Sequence, residues 1–215
     1  MVDDFDSPWK EAIRLYFRDF VQFFFVEMDA DIDWDSGWEF CDKELQAITP
    51  EGGRRHVDSL VRVSRRDGVQ LVLVHIEVQS QRDPEFPERM LLYHTRIADR
   101  FGESVCSLAI LGDGGPTWRP NRCLRSVWGC RLELHFPICK LLDYPDWAEG
   151  TDNPFAWLTA AHRQALATRR QPQRRAEIKF RLVRGSIRVR VDSFPVGGLL
   201  PAGRLDSGSA CAFGV

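Results

Sequence analysis

A run rich in β-branched residues, from Val69 to Ser80, limits the possible folds of this chain more than any other feature. Within it, Val74, Ile76 and Val78 alternate with His75, Glu77 and Gln79. Successive side chains of a strand point to opposite faces, so the pattern predicts a strand with one apolar and one polar face. Burying a carboxylate in such a strand costs roughly several kcal/mol unless it is paired or metal-bound. Glu77 is therefore a candidate functional residue.

The preceding segment, residues 55–64, also has a strand pattern, and the short turn Arg66-Asp67-Gly68 predicts a hairpin with antiparallel strands. This first strand carries Asp58. Two carboxylates on neighbouring strands can share a hard cation with oxygen ligands, such as Mg²⁺. The alternative is that Asp58 caps a turn and that Glu77 forms an ion pair. Candidate partners for that ion pair are Arg62, Arg89 and Lys10.

Periodicity along the rest of the chain predicts helices and further strands. The predicted elements are a helix over 8–28, a helix over 88–101 ended by Gly102, a strand over 105–111, a strand over 127–134 and a helical region over 153–184. This order is typical of an α/β protein with a central mixed sheet flanked by helices. We divide the chain into a core (1–150), a basic helical extension of the same domain (151–185) and an irregular tail (186–215).

A length of 215 residues with 44% hydrophobic residues is enough for one packed domain. The longest apolar runs are far shorter than the ~20 residues that span a bilayer, which predicts that the protein does not cross a membrane. Its first residues are acidic, whereas a secretory signal begins with basic residues. We therefore expect a cytoplasmic protein.

Charge is distributed very unevenly along the chain. Residues 1–51 are strongly acidic, whereas residues 162–190 contain ten Lys or Arg and only one acidic residue, Glu177. Such a basic segment is compatible with a polyanion such as DNA, although a solvated helix face is an alternative. The candidate phosphate contacts in it are Arg169, Arg170, Arg174 and Arg175.

Six cysteines are scattered without any C-x-x-C pair. A zinc site built from Cys123, Cys130, His135 and Cys139 is one alternative, but the spacing of these residues is loose for zinc ligands. Reduced and mostly buried thiols are the favoured interpretation.

Several short motifs, in this order, resemble the PD-(D/E)XK nuclease superfamily, in its Rpn/YhgA-like branch of recombination-promoting nucleases and transposases. The similarity covers about residues 6–184. The matching pieces are Asp6-Ser7-Pro8-Trp9-Lys10, His56-Val57-Asp58, residues 75–83 running into Phe86-Pro87-Glu88-Arg89 and residues 90–93, Leu108-Ala109-Ile110-Leu111, and Lys140-Leu141-Leu142-Asp143-Tyr144.

This resemblance implies a restriction-endonuclease-like core and a DNA endonuclease that acts in recombination or transposon-like mobility. Asp58 and Glu77, with the carbonyl of Val78, would hold Mg²⁺ or Mn²⁺, and Gln79 would complete the catalytic set. The superfamily usually has Lys at the position of Gln79, so another residue must supply the positive charge. A catalytically weak module that binds DNA or a protein partner is the alternative.

The resemblance also suggests which other residues contact DNA. Arg89, Tyr93 and Arg96 are three and four residues apart on one predicted helix, so they share a face and are candidates for phosphate contact, or alternatively are packing residues. Lys10 is a further candidate. Nuclease folds often dimerise to cut both strands, so a homodimer is one of the oligomeric states considered for this chain. After Gly185 the chain departs from the family pattern, and our hypothesis is a truncated or out-of-frame tail.

Overall fold

The computed structural model describes residues 6–41, 59–68, 70–148 and 150–168. The helices are α1 (Asp6–Leu15), α2 (Phe17–Phe24), α3 (Val26–Asp31), α4 (Phe86–Phe101) and α5 (Pro154–Ala167). The strands are β1 (Trp38–Phe40), β2 (Ser59–Ser64), β3 (Leu71–Gln79), β4 (Ser104–Leu111), β5 (Arg122–Val127), β6 (Cys130–His135) and β7 (Ile138–Lys140). Short 3₁₀ turns occupy Trp34–Ser36 and Leu141–Asp143.

Five strands form one mixed sheet in the order β1-β2-β3-β4-β7. The strands β1, β2 and β3 are antiparallel neighbours, whereas β3, β4 and β7 run parallel. The predicted α/β class with a mixed sheet flanked by helices is therefore confirmed. The predicted hairpin is confirmed as well, since Ser59 to Ser64 pair with Ile76 to Leu71.

Helices cover both faces of this sheet. Val74, Ile76 and Val78 of β3 belong to a large apolar core that includes Trp9 of α1 and Phe155 of α5. On the opposite face, helix α4 packs on β2 and β3 in a second cluster, which consists of Leu60, Leu73, Tyr93, Ile97 and Cys41. The alternation predicted for β3 is confirmed, and Glu77 lies on the α4 face.

The predicted helix over 8–28 is instead three short helices, which are separated at Tyr16 and Phe25. The ring centroids of Trp9 and Phe24 are 5.9 Å apart. A straight helix would hold these two residues about 22 Å apart along its axis, because each residue adds ~1.5 Å. The breaks let the aromatic rings of this segment converge on one core, so packing overrides helical periodicity.

The predicted strand over 127–134 is wrong in its bounds. The chain forms a separate hairpin there, β5 and β6, which turns at Trp128 and Gly129. Both turn residues have positive φ, as a two-residue hairpin turn of this kind requires. Trp-Gly is not one of the usual sequence signals for this turn. The strands β1 and β7 have three residues each, which is too short for the two-residue alternation of a strand to be recognised in the sequence.

The helical region predicted over 153–184 begins as α5, which starts at Pro154 after an Asn153 cap. Residues beyond 168, including the predicted tail over 186–215, lie outside the described residues. Helix α4 ends at Gly102, which has a left-handed conformation, as predicted. None of the helices that the structure describes is long and apolar enough to cross a membrane.

Candidate functional site

Polar side chains gather where the three parallel strands end. Gln79 at the end of β3 pairs in register with Leu111 of β4, and Leu111 pairs with Lys140 of β7. In α/β proteins the carboxyl ends of parallel strands form the usual position of a ligand site. This edge therefore contains the candidate site.

Glu77 is 3% exposed and lies in a cluster with His75, Gln79, Asp83 and Arg89, which we call the Glu77 cluster. Its Oε1 is 3.3 Å from Nε2 of His75, and its Oε2 is 3.9 Å from Nε of Arg89. The first contact is a long hydrogen bond, and the second is an ion pair without a hydrogen bond. These two partners offset the cost of burying the carboxylate.

Arg89 is held in place by two short hydrogen bonds. Its Nη1 donates to Asp83 and its Nη2 donates to the Oε1 of Gln79, both at 2.6 Å. The guanidinium also lies over the ring of Phe86, at 5.1 Å from the ring centroid. Its Nε is buried and has no hydrogen-bond partner among the described residues. The positive charge of Arg89 is thus fixed beside both Gln79 and Glu77.

Gln79 is fixed at both ends of its amide. The Oε1 accepts the hydrogen bond from Arg89, and the Nε2 donates to the backbone carbonyl of Gln81 at 2.7 Å. Asp83 accepts from the backbone N–H of Glu85 at 3.0 Å, just before α4 begins. The start of α4 and the end of β3 are therefore connected through charged and amide side chains.

His75 is fully buried between Ser107 and Glu77. Burial, with a smaller contribution from the nearby Arg89 charge, lowers the pKa of His75 to about 3. Its Nδ1 lies 3.0 Å from Oγ of Ser107, which in turn lies 3.0 Å from Nδ1 of His94. Tyr93 stands edge-on against the His75 ring, with centroids 5.9 Å apart. The imidazole is neutral at physiological pH.

The predicted site residues separate into four groups. Glu77, Gln79 and Arg89 come together. Tyr93 packs on His75, and Arg96 lies two turns of α4 after Arg89. Lys10 lies on α1, whose buried residues Trp9 and Ile13 pack on the opposite face of the sheet. The remaining candidates, Asp58, Arg169, Arg170, Arg174 and Arg175, lie outside the described residues.

Among the ion-pair partners considered for Glu77, the structure favours Arg89. Arg62 instead pairs with Glu39 at 2.9 Å and with Glu103 at 3.1 Å.

Within the described ranges, no group of three His, Cys, Asp or Glu side chains is arranged to hold a metal ion. Cys139 donates to the carbonyl of Phe24 in the core, whereas Cys130 is exposed on β6.

A second buried charge pair, Asp113 and Lys140, occupies the same edge and was not predicted. Lys140 donates to Oδ1 of Asp113 and stands over the ring of Trp118. Asp113 also accepts from the backbone N–H of Gly115 at 2.8 Å. In the sequence, the Asp113-Gly114-Gly115 pattern is typical of a turn. The burial of Lys140 is indicated only by the apolar residues around it in the sequence.

Ser107 and His94 were also not predicted as site residues. Nothing in their local sequence indicates a polar contact, because the two residues meet only where α4 packs on β4.

Comparison with protein-family models, with curated proteins and with solved structures finds no match for this chain. Function is therefore inferred from the Glu77 cluster and from the sequence pattern.

Proposed function

We propose that the protein is a Mg²⁺- or Mn²⁺-dependent DNA endonuclease of the PD-(D/E)XK type, acting in recombination or transposon-like mobility. The observation that carries this proposal is the buried Glu77 carboxylate at the carboxyl edge of β3, next to the fixed positive charge of Arg89. A charged side chain in this position within an apolar strand is expensive for stability alone. Its presence supports a functional role.

The proposed metal site would consist of oxygen ligands, which are the ligands that a hard cation prefers. Glu77 offers a carboxylate and Val78 a backbone carbonyl. Asp58 is the second carboxylate on sequence grounds, because it immediately precedes Ser59, which pairs with Ile76. When bound, the ion would polarise a phosphodiester oxygen and lower the pKa of a bound water.

Arg89 takes the charge role that the motif usually assigns to Lys. Its guanidinium is hydrogen-bonded to Gln79, the residue at the Lys position, and lies within 3.9 Å of Glu77. A guanidinium stays charged at any relevant pH and donates several hydrogen bonds to a phosphate. Arg89 thus stabilises negative charge that develops on the scissile phosphate.

One experiment separates this role from the alternative in which the charge is missing. In a plasmid-nicking assay with Mg²⁺, we expect Glu77→Gln and Arg89→Ala to lose at least 100-fold in single-turnover rate. Gln79→Lys should also lose activity, because a second cation beside Arg89 repels the metal. Glu88→Gln, which changes an exposed carboxylate of the same helix, is the matched control.

The expected control result is cleavage at the parent rate, with EDTA abolishing cleavage by both proteins. A Glu77→Gln protein that nicks DNA as fast as the parent overturns the site assignment. A Gln79→Lys protein that is faster than the parent shows that Arg89 does not supply the missing charge.

The second candidate is a nuclease-fold module without turnover that binds DNA or a protein partner. The contacts of Glu77 with His75 and Arg89 favour it, since both compensate the carboxylate without a metal. Mn²⁺ binding followed by electron paramagnetic resonance distinguishes the two functions. The nuclease binds Mn²⁺ in a Glu77-dependent manner, whereas the module does not.

A further inference from the structure

Four polar side chains form one continuous hydrogen-bonded row that ends at Glu77. His94 of α4, Ser107 of β4, His75 of β3 and Glu77 follow one another at 3.0, 3.0 and 3.3 Å. His75 and Ser107 are buried, whereas His94 at the other end is only partly buried. The row thus joins three elements to the candidate catalytic carboxylate.

The direction of each hydrogen bond follows from donor chemistry. An ionised Glu77 only accepts, so Nε2 of His75 carries the proton. Neutral His75 then has a lone pair on Nδ1, to which Ser107 donates its hydroxyl hydrogen. The Ser107 oxygen accepts in turn from Nδ1–H of His94. Burial lowers the pKa of both imidazoles, in agreement with neutral rings.

We propose that His94, Ser107 and His75 are positioning residues, which fix the orientation of the Glu77 carboxylate through this directed row. The hydrogen bond occupies Oε1 and prevents the carboxylate from rotating. The tautomers do not depend on the proposed function, whereas the effect on metal binding rests on it. Loss of such an outer partner typically weakens metal affinity or activity about 10- to 100-fold.

The charged and titratable groups that contact the row come from β3 and α4. Glu77 lies on β3, and Arg89 approaches from α4 at 3.9 Å from Glu77. Tyr93, also on α4, packs edge-on against His75.

The test of the row uses ¹⁵N-labelled full-length protein at pH 7.5 in EDTA. Long-range ¹H–¹⁵N spectra should show His75 as the Nε2–H tautomer and His94 as the Nδ1–H tautomer. Ser107→Ala removes the shared oxygen and should return His94 toward the tautomer mixture of a free imidazole. Ser107→Thr keeps the hydroxyl and should retain both tautomers.

Ser104→Ala is the matched control, because Ser104 is on the same strand but bonds Gln70 at the surface. It should leave both tautomers unchanged. Circular dichroism verifies that each variant is folded. The proposed row is wrong if the His75 ring is protonated on Nδ1 alone. It is also wrong if both tautomers persist in a folded Ser107→Ala protein.

The effect on the carboxylate is measured separately, by Mn²⁺ binding. Ser107→Ala should bind Mn²⁺ at least 10-fold more weakly than the parent, Ser107→Thr within about 3-fold of it, and Ser104→Ala equally well. If Ser107→Ala binds Mn²⁺ as tightly as the parent, the positioning role is wrong while the nuclease proposal stands. If the parent itself binds no Mn²⁺, the proposed function and the positioning of a metal ligand both fail, whatever the tautomers are.

Discussion

Acid should destabilise this protein through His75, which lies buried and neutral between Ser107 and Glu77. The folded-state pKa of His75 is about 3, below the ~6.5 of an exposed imidazole. Between these two values the unfolded chain binds a proton that the folded chain does not. The free energy of unfolding therefore falls as the pH is lowered from about 6.5 toward 3.

The size of this effect follows from the pKa difference. Each pH unit inside the window removes about 1.4 kcal/mol, so lowering the pH from 7.5 to 4.5 costs about 3 kcal/mol at His75 alone. Burial lowers the pKa of His94 as well, so His94 adds to the loss. A typical domain has only about 5 to 15 kcal/mol of stability, which makes this change easy to measure.

Urea denaturation followed by circular dichroism, in EDTA at pH 7.5 and at pH 4.5, measures the loss. Glutamine does not titrate, so His75→Gln should lose about 3 kcal/mol less than the parent between the two pH values. Carboxylates with lowered pKa, such as Asp143 and Glu133, contribute equally to both proteins and cancel. His135→Gln is the control, since His135 is exposed on β6. Equal losses in the parent and His75→Gln would refute a buried neutral His75.

Two further predictions concern the carboxyl edge of the sheet, and urea denaturation measures both. Lys140→Met leaves Asp113 buried without its cation and should cost about 3 to 5 kcal/mol, whereas parent-like stability would mean that the pair is not buried. Gly112→Ala would place a Cβ 2.8 Å from the His162 ring and should cost about 1 to 3 kcal/mol, while Gly114→Ala meets nothing within 4 Å. Equal stability of these two alanine variants would contradict the close approach of His162.

Much of the sheet could be predicted because strand patterns are local. The alternation of Val74, Ile76 and Val78 with His75, Glu77 and Gln79 depends only on the two-residue period of a strand. The hairpin of β2 and β3 needed only a short turn containing Gly68. Helix α4 and its end at Gly102 could also be predicted from the local sequence. Each of these features depends on residues that are close together in the sequence.

Elements that depend on distant contacts were predicted poorly. The long N-terminal helix is broken because Phe24 must meet Trp9 and Phe155, and nothing in the local periodicity reports that contact. Strand β7 has three residues and is defined only by its pairing with β4. The Trp128-Gly129 turn is formed by residues that do not usually signal one.

The candidate site shows the same division. The cost of a carboxylate in an apolar strand singled out Glu77, with Arg89 as one of three candidate partners, whereas Gln79 entered the candidate site through the family resemblance. Among the described residues, the tertiary structure places Arg89 beside Glu77 and pairs Arg62 with Glu39 and Glu103 instead. It also added Ser107 through the parallel pairing of β3 with β4, and His94 through the packing of α4 on β4. Sequence periodicity determines which face of an element a side chain occupies, whereas its neighbours across the sheet depend on how the elements pair and pack.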